Sequence, residues 1–290
     1  MGVAPVALST TAAPAQTAAQ AAEQTAAQAP ANAEPTYQVK LLVDPCRVLD
    51  RDGAPLGAAA AVLALGSSSG FELTQYMDDD RLSLAAQDWI IRIRRGGEEN
   101  RLCLTYKRRF GIDGDGTDPA AVRRALDRAS AANFDAGDTN YEPQVNLSYS
   151  RATLDFCNKK REPVPYLDPG ELPGPEASRA LTRDRLPGKL RKWATQPAGW
   201  AESVAAHCLV HGPVRQTNYP GRLLGHRLEM QVTPLRGACG ERTWFTEITA
   251  KAATLGEAVA LRAELLGRLR AEGWLLEREA FKTDLILAAP

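Results

Sequence analysis

Trp89–Arg109 reads WIIRIRRGGEENRLCLTYKRR, and this stretch decides the fold. Apolar and cationic residues alternate on both sides of GGEEN, the period-two signature of strands. The Gly-rich, Asn-containing turn makes the pair a β-hairpin. Arg92 and Arg94 share a face with Ile90, and Arg101, Thr105, Lys107 and Arg109 share one on the second strand. Trp89, Ile91, Ile93, Leu102, Leu104 and Tyr106 form the other, apolar face. A strand pair with one apolar and one cationic face calls for an anion opposite the cations.

The rest of the chain limits what that anion is. The 290 residues carry 35 Lys and Arg against 35 Asp and Glu, so bulk attraction to nucleic acid is not expected. The cations matter by position. No apolar run reaches the length of about 18 residues that a membrane-spanning helix needs. Residues 1–35 are rich in Ala, Gln, Thr and Pro and predict a disordered leader or linker. Within them VAPVALSTTAAPA resembles the tail of a signal peptide, without its basic start. Export to the periplasm or beyond is one expectation, and a plain tail on a cytoplasmic protein is the other. Cys46, Cys103, Cys157, Cys208 and Cys239 lack zinc-ligand spacing. Two disulfides and a free thiol in an exported protein, or five reduced side chains in the cytosol, both fit them.

Further strands read as Thr36–Val43, Phe71–Asp78, Glu142–Tyr149, one long or two short strands within Val204–Tyr219, Arg227–Val232, Trp244–Ala250 and a last one over Leu275–Leu287. Asp118-Pro119 starts a helix. Thr254-Leu-Gly-Glu257 is a capping box, followed by Leu255, Ala258, Leu261, Leu265 and Leu269 at helical spacing and Gly273 as a stop. The proline-rich stretch 161–187 reads as an irregular surface connection.

The total is eight or nine antiparallel strands with few helices. Their polar faces carry long cations and carboxylates, and the helix at 254–272 needs a sheet face to cover its apolar stripe. Both features favour a mainly β (α+β) fold, a closed or nearly closed barrel with helices packed outside and a charged interior. An ordinary solvated strand face is the plainer alternative for Arg92, Arg94 and Lys107, as is salt-bridge partnership for Glu229 and Glu247.

In this order the residues resemble the CYTH, or triphosphate tunnel, superfamily, which includes adenylate cyclases, thiamine triphosphatases and inorganic triphosphatases. Tyr76-Met-Asp78 followed by Leu84 is similar to its Y-x-D-T-x-x-x-x-L strand, Ile91-Arg-Ile-Arg-Arg95 to its L-R-I-R-R, and Leu104-Thr-Tyr-Lys107 to its L-T-x-K. RLEMQV fills the slot of a later paired-acid strand, and Glu247-Ile248-Thr249 that of an E-I-E strand before a helix. The likeness spans about 36–287, making 36–290 one tunnel domain with inserts near 110–140 and 158–200.

The departures fall on the acids. The family's E-x-E-x-K reads Thr36-x-Gln38-x-Lys40, Thr249 replaces the second acid of E-I-E, and Gln231 follows Glu229. The resemblance implies that Lys40, Arg92, Arg94, Lys107 and Arg215 grip a tripolyphosphate or organic triphosphate. It implies that Glu229 and Glu247, with Asp78 or Glu142, are what remains to hold Mg²⁺ or Mn²⁺. A divalent ion needs several charged oxygen ligands. The expected function is therefore binding of a tri- or polyphosphate-like anion without turnover. The alternative is a divalent-metal-dependent triphosphatase. His207, His211 and His226 show no ligand spacing, and the sequence does not fix the oligomeric state.

Overall fold

The computed structural model describes residues 1, 32–97, 99–164, 167–168, 170–236 and 242–288. Nine strands form the molecule's centre: β1 (Thr36–Leu42), β2 (Phe71–Asp78), β3 (Trp89–Gly96), β4 (Arg101–Ile112), β5 (Glu142–Leu147), β6 (Ala152–Pro163), β7 (Leu209–Leu223), β8 (His226–Arg236) and β9 (Arg242–Ala252). They close into a barrel in the order β1-β5-β6-β4-β3-β2-β7-β8-β9, with β9 returning to β1. Every neighbouring pair is antiparallel except β1 and β5, which run parallel with Thr36 opposite Gln144. Nothing local in the sequence announces that pair, because three strands and three α-helices separate its members along the chain.

Eight helices are described: α1 (Pro45–Val48), α2 (Gly57–Val62), α3 (Pro119–Ala131), α4 (Pro175–Asp184), α5 (Gly188–Arg191), α6 (Trp200–His207), α7 (Leu255–Ala271) and α8 (Lys282–Leu287). The two predicted helix starts are as read. Asp118 Oδ1 accepts from Ala120 N at 2.8 Å, with Pro119 in the first turn of α3. Thr254 Oγ1 accepts from Glu257 N at 3.2 Å, and Glu257 Oε2 accepts from Ala253 N at 3.0 Å. Gly273 follows α7 with φ +69°, the left-handed position that suits glycine.

The apolar face of the barrel is its outer one. Leu261, Leu265 and Leu269 of α7 pack with Val39, Leu41 and Ile248, all buried. On the opposite flank the outward residues of the opening hairpin join the core under α3 and α6. Each such Leu or Ile contributes roughly 1.5–3 kcal/mol of burial. The helical wrap therefore secures the strands from outside and leaves the polar faces to line the interior.

Three sequence expectations are corrected. The segment Leu275–Leu287 is not a strand. Leu275 makes one bridge to Val43, and the chain then turns into α8. The stretch 204–208 belongs to the end of α6, and β7 starts at Leu209. The proline-rich connection holds the end of β6 and the helix α4, with Pro175 at its first turn, where proline costs no hydrogen bond. Among the described residues Cys46, Cys103, Cys157 and Cys208 are free thiols, and Cys239 lies outside them. The leader and signal-like stretch at 2–31 also lies outside the described residues. No described helix is long and apolar enough to cross a membrane.

Candidate functional site

Alternation along β3 sends Trp89, Ile91 and Ile93 outward and Arg92 and Arg94 into the barrel. On β4 the same rule sends Lys107 and Arg109 inward. With Lys40 of β1 they face a partly open cavity of about 350 Å³. Nine basic and five acidic side chains line it, so the lumen is cationic although the chain as a whole is neutral.

The cations fall into two groups. Lys107 Nζ lies 2.7 Å from Asp155 Oδ2 and Arg109 Nε 3.1 Å from Asp155 Oδ1. Asn146 Nδ2 donates to the same carboxylate at 3.0 Å. Arg94 Nη1 lies 3.0 Å from Glu72 Oε2, which shares its inward face on β2. Burial alone would raise the Asp155 carboxyl, but Lys107 and Arg109 outweigh it and bring it down to about 2. The second group, without a carboxylate partner, includes Lys40 and Arg92. Among the described residues neither has a carboxylate within 4 Å, and Arg92 Nε is buried without a hydrogen-bond partner. Burial lowers the Lys40 ammonium to about 8, against the opposing pull of Glu247 and with repulsion from Lys107 and Lys282.

The acidic wall is sparse. Pairing places Glu229, Thr249 and Lys40 side by side on β8, β9 and β1, and Gln231, Glu247 and Leu42 in the next row. Glu247 is 8% exposed and lines the cavity. Glu229 does not line it, and its Oε1 accepts from Gln231 Nε2 at 2.5 Å. Thr36, Gln38, Gln231 and Thr249 add oxygen atoms to this wall but no negative charge. Asp78 is a turn anchor, accepting from the backbone N–H of Asp79, Leu84 and Ala85 at 2.9 Å each. Glu142 pairs with Lys159 at the lumen edge. Among the described residues no three His, Cys, Asp or Glu side chains are grouped to hold a metal ion. Among the described residues Glu247 is the carboxylate that this wall turns to the cavity, so the side chains alone do not hold Mg²⁺ or Mn²⁺, which would need phosphate oxygens of a ligand beside it.

Arg215 is not brought to the cavity. It sits opposite Leu73 on the outer face of β7, exposed, with its guanidinium 3.7 Å from the Phe71 ring centroid. The neighbouring Gln216, opposite Glu72, takes the inward place. One residue of register decides this, since adjacent strand residues point to opposite faces.

Sequence reasoning missed Glu72, Asp155 and the C-terminal contribution. Thr153, Asp155, Cys157 and Lys159 alternate inward on β6 against outward Leu154 and Phe156, a signal legible in ATLDFCNK. Glu72, Thr74 and Tyr76 alternate in the same way on β2. The C-terminal segment closes one mouth. Arg278, Glu279, Phe281 and Lys282 border the cavity. Glu279 Oε2 accepts from Ser148 Oγ at 2.7 Å, the Arg109 guanidinium lies 4.3 Å from the Phe281 ring centroid, and Lys282 Nζ donates to Gln216 Oε1.

No known family profile and no curated protein matches the chain. Solved structures similar to it include a Hippeastrum protein named as an adenylyl cyclase and described as having a dominant triphosphatase activity. It is 15% identical with a TM-score of 0.49, and the match covers 86% of this chain and 93% of that one. A Bacillus halodurans protein named as an adenylate cyclase is 13% identical with a TM-score of 0.46, covering 87% and 96%. A Vibrio parahaemolyticus protein of the same description is 12% identical with a TM-score of 0.42, covering 88% and 100%.

Proposed function

We propose that the barrel binds a small polyanion of the tripolyphosphate or organic triphosphate type in its lumen, without turning it over. One observation carries this reading: Lys40 and Arg92 point into a net-cationic barrel cavity with no carboxylate within 4 Å among the described residues. Buried cations without a carboxylate in direct contact are costly, and a mobile anion supplies the contact that the fold does not. Arg92 offers a planar fork for two phosphate oxygens, and Lys40 a compact charge with three donors. Arg94, Lys107 and Arg109 border the same space and already hold Glu72 and Asp155, so an anion entering there shares or displaces those carboxylates.

Turnover asks for more than grip. Phosphoryl transfer to water depends on neutralising the developing charge and on positioning the attacking oxygen. The wall that would carry a metal for that purpose holds Glu247 and neutral side chains. The test is a thermal melt with millimolar tripolyphosphate, followed by a phosphate-release assay on the same sample. A rise in melting temperature without phosphate release is the expected result. Release of phosphate selects the triphosphatase reading, and no rise in melting temperature overturns anion binding itself.

A further inference from the structure

We infer that this lumen takes its polyanion without a divalent ion, with Lys40 of β1 and Lys282 of α8 supplying positive charge at the β9–β1 wall. The inference rests on the anion-binding reading above and names how the charge of that anion is met.

The wall is described by its rows. Glu229, Thr249 and Lys40 form one, and Gln231, Glu247 and Leu42 the next. Of the two carboxylates Glu247 alone faces the cavity, and Glu229 is engaged by Gln231. A dication at this wall would meet one carboxylate and several neutral oxygen donors. It would also meet the ammonium group of Lys40, which Lys107 and Lys282 already repel, and that of Lys282 at the lumen edge. Mg²⁺ is held by one or two carboxylates together with a ligand's phosphates, and here the wall's lone cavity-facing carboxylate stands beside ammonium groups whose like charge works against a dication.

Lys282 is what the C-terminal segment adds. The segment folds over the mouth through Glu279 on Ser148 and Ser150, and it places Lys282 Nζ on Gln216 Oε1 at the lumen edge. Among the described residues Lys282 has no carboxylate within 4 Å, and its ammonium lies 5.8 Å from the Phe245 ring centroid. An ammonium in this position delivers charge and N–H donors to phosphate oxygens directly. The site is then composite, with barrel and C-terminal helix both touching the ligand.

The experiment is calorimetric titration of the full chain with sodium tripolyphosphate, once in EDTA and once in excess Mg²⁺. We expect binding in EDTA, weakened by Mg²⁺ because the ion competes for the phosphate oxygens. Binding that appears only with Mg²⁺ or Mn²⁺ overturns the inference and leaves anion binding standing, whereas no binding in either buffer overturns anion binding. In EDTA, Lys282→Gln should weaken binding about tenfold, the cost of one charge-assisted contact, and Glu247→Gln should tighten it, because a carboxylate that faces the anion is removed. A Glu247→Gln variant that melts normally yet loses binding, beside a Lys282→Gln variant that keeps it, overturns the assignment.

Discussion

Lys107 Nζ lies 2.7 Å from Asp155 Oδ2, and Arg109 Nε reaches the other oxygen of the same buried carboxylate at 3.1 Å. Two lumen cations are therefore held by the protein's own acid. Asp155→Asn removes that charge and leaves two ammonium-type groups facing the cavity. Breaking a buried pair on one side costs roughly 3–5 kcal/mol, and the contact of Lys107 and Arg109 with the lumen puts the loss at or below the lower end. The variant should melt lower than wild type and gain a larger rise from tripolyphosphate, because the ligand replaces the missing charge. A thermal-melt series with and without ligand checks both halves.

The same carboxylate sets an acid limit. Its folded-state value of about 2 lies below the ordinary 3.8. Its stabilisation is present above 3.8 and is lost as pH falls from there through about 2. Denaturant melts between pH 5 and pH 2 should show a stability loss in wild type that is smaller in Asp155→Asn.

Lys40 has the opposite sense. Burial holds it at about 8 in the free protein, below the ordinary 10.5. The protonated form is thus disfavoured by folding, so its contribution to stability is unfavourable below about 8 and is relieved as pH rises toward 10.5. A bound polyanion favours the protonated form. Affinity for tripolyphosphate should therefore fall as pH rises through about 8, by up to about tenfold per pH unit. Lys40→Arg stays charged and should lose the part of the pH dependence that comes from this residue. Calorimetric titrations of both proteins from pH 7 to pH 9.5 separate that part from titration of the ligand itself.

Much of the barrel was legible because period-two alternation survives in single strands. The cationic face of Trp89–Arg109 and the capped helix α7 follow from local pattern, whereas Lys40 gains its weight only from its place in the family resemblance. Two classes of feature did not. Arg215 and Gln216 differ by one register step, and the bulge between Thr74 and Tyr76 shifts the pairing of β2 with β7 close by. The sequence holds no marker of that step. The C-terminal segment was misread because KTDLIL has the apolar content of a strand, while its helical conformation is set by docking Ile286 into the protein and the 278–283 side chains over the mouth. Asp155 was missed for another reason. Its alternation is legible in ATLDFCNK, but Asp155 lies between the strand read at 142–149 and the insert read from about 158, where no strand is expected.

Arg92, Arg94 and Arg95 are consecutive or alternate cations whose roles separate by face alone. Arg95 points outward and is 1% exposed. Its Nε donates to Glu99 O at 2.7 Å, Nη1 to Asp168 O at 2.7 Å and Glu171 O at 2.9 Å, and Nη2 to Leu167 O at 3.3 Å. It is a clamp on the loop that leads to α4. Arg95→Met leaves those carbonyls without their donor and should cost about 3 kcal/mol, and Arg95→Lys should not rescue it because an ammonium cannot span the fork. Tripolyphosphate affinity of the folded variant should be that of wild type. Arg92→Met should behave in reverse. It removes a buried, unpaired guanidinium Nε, so stability should hold or rise, while affinity should fall at least about tenfold. Urea melts and calorimetry on the two variants read both quantities. A loss of affinity in Arg95→Met equal to that in Arg92→Met would mean that the anion does not sit in the lumen, since the two side chains lie on opposite sides of one strand.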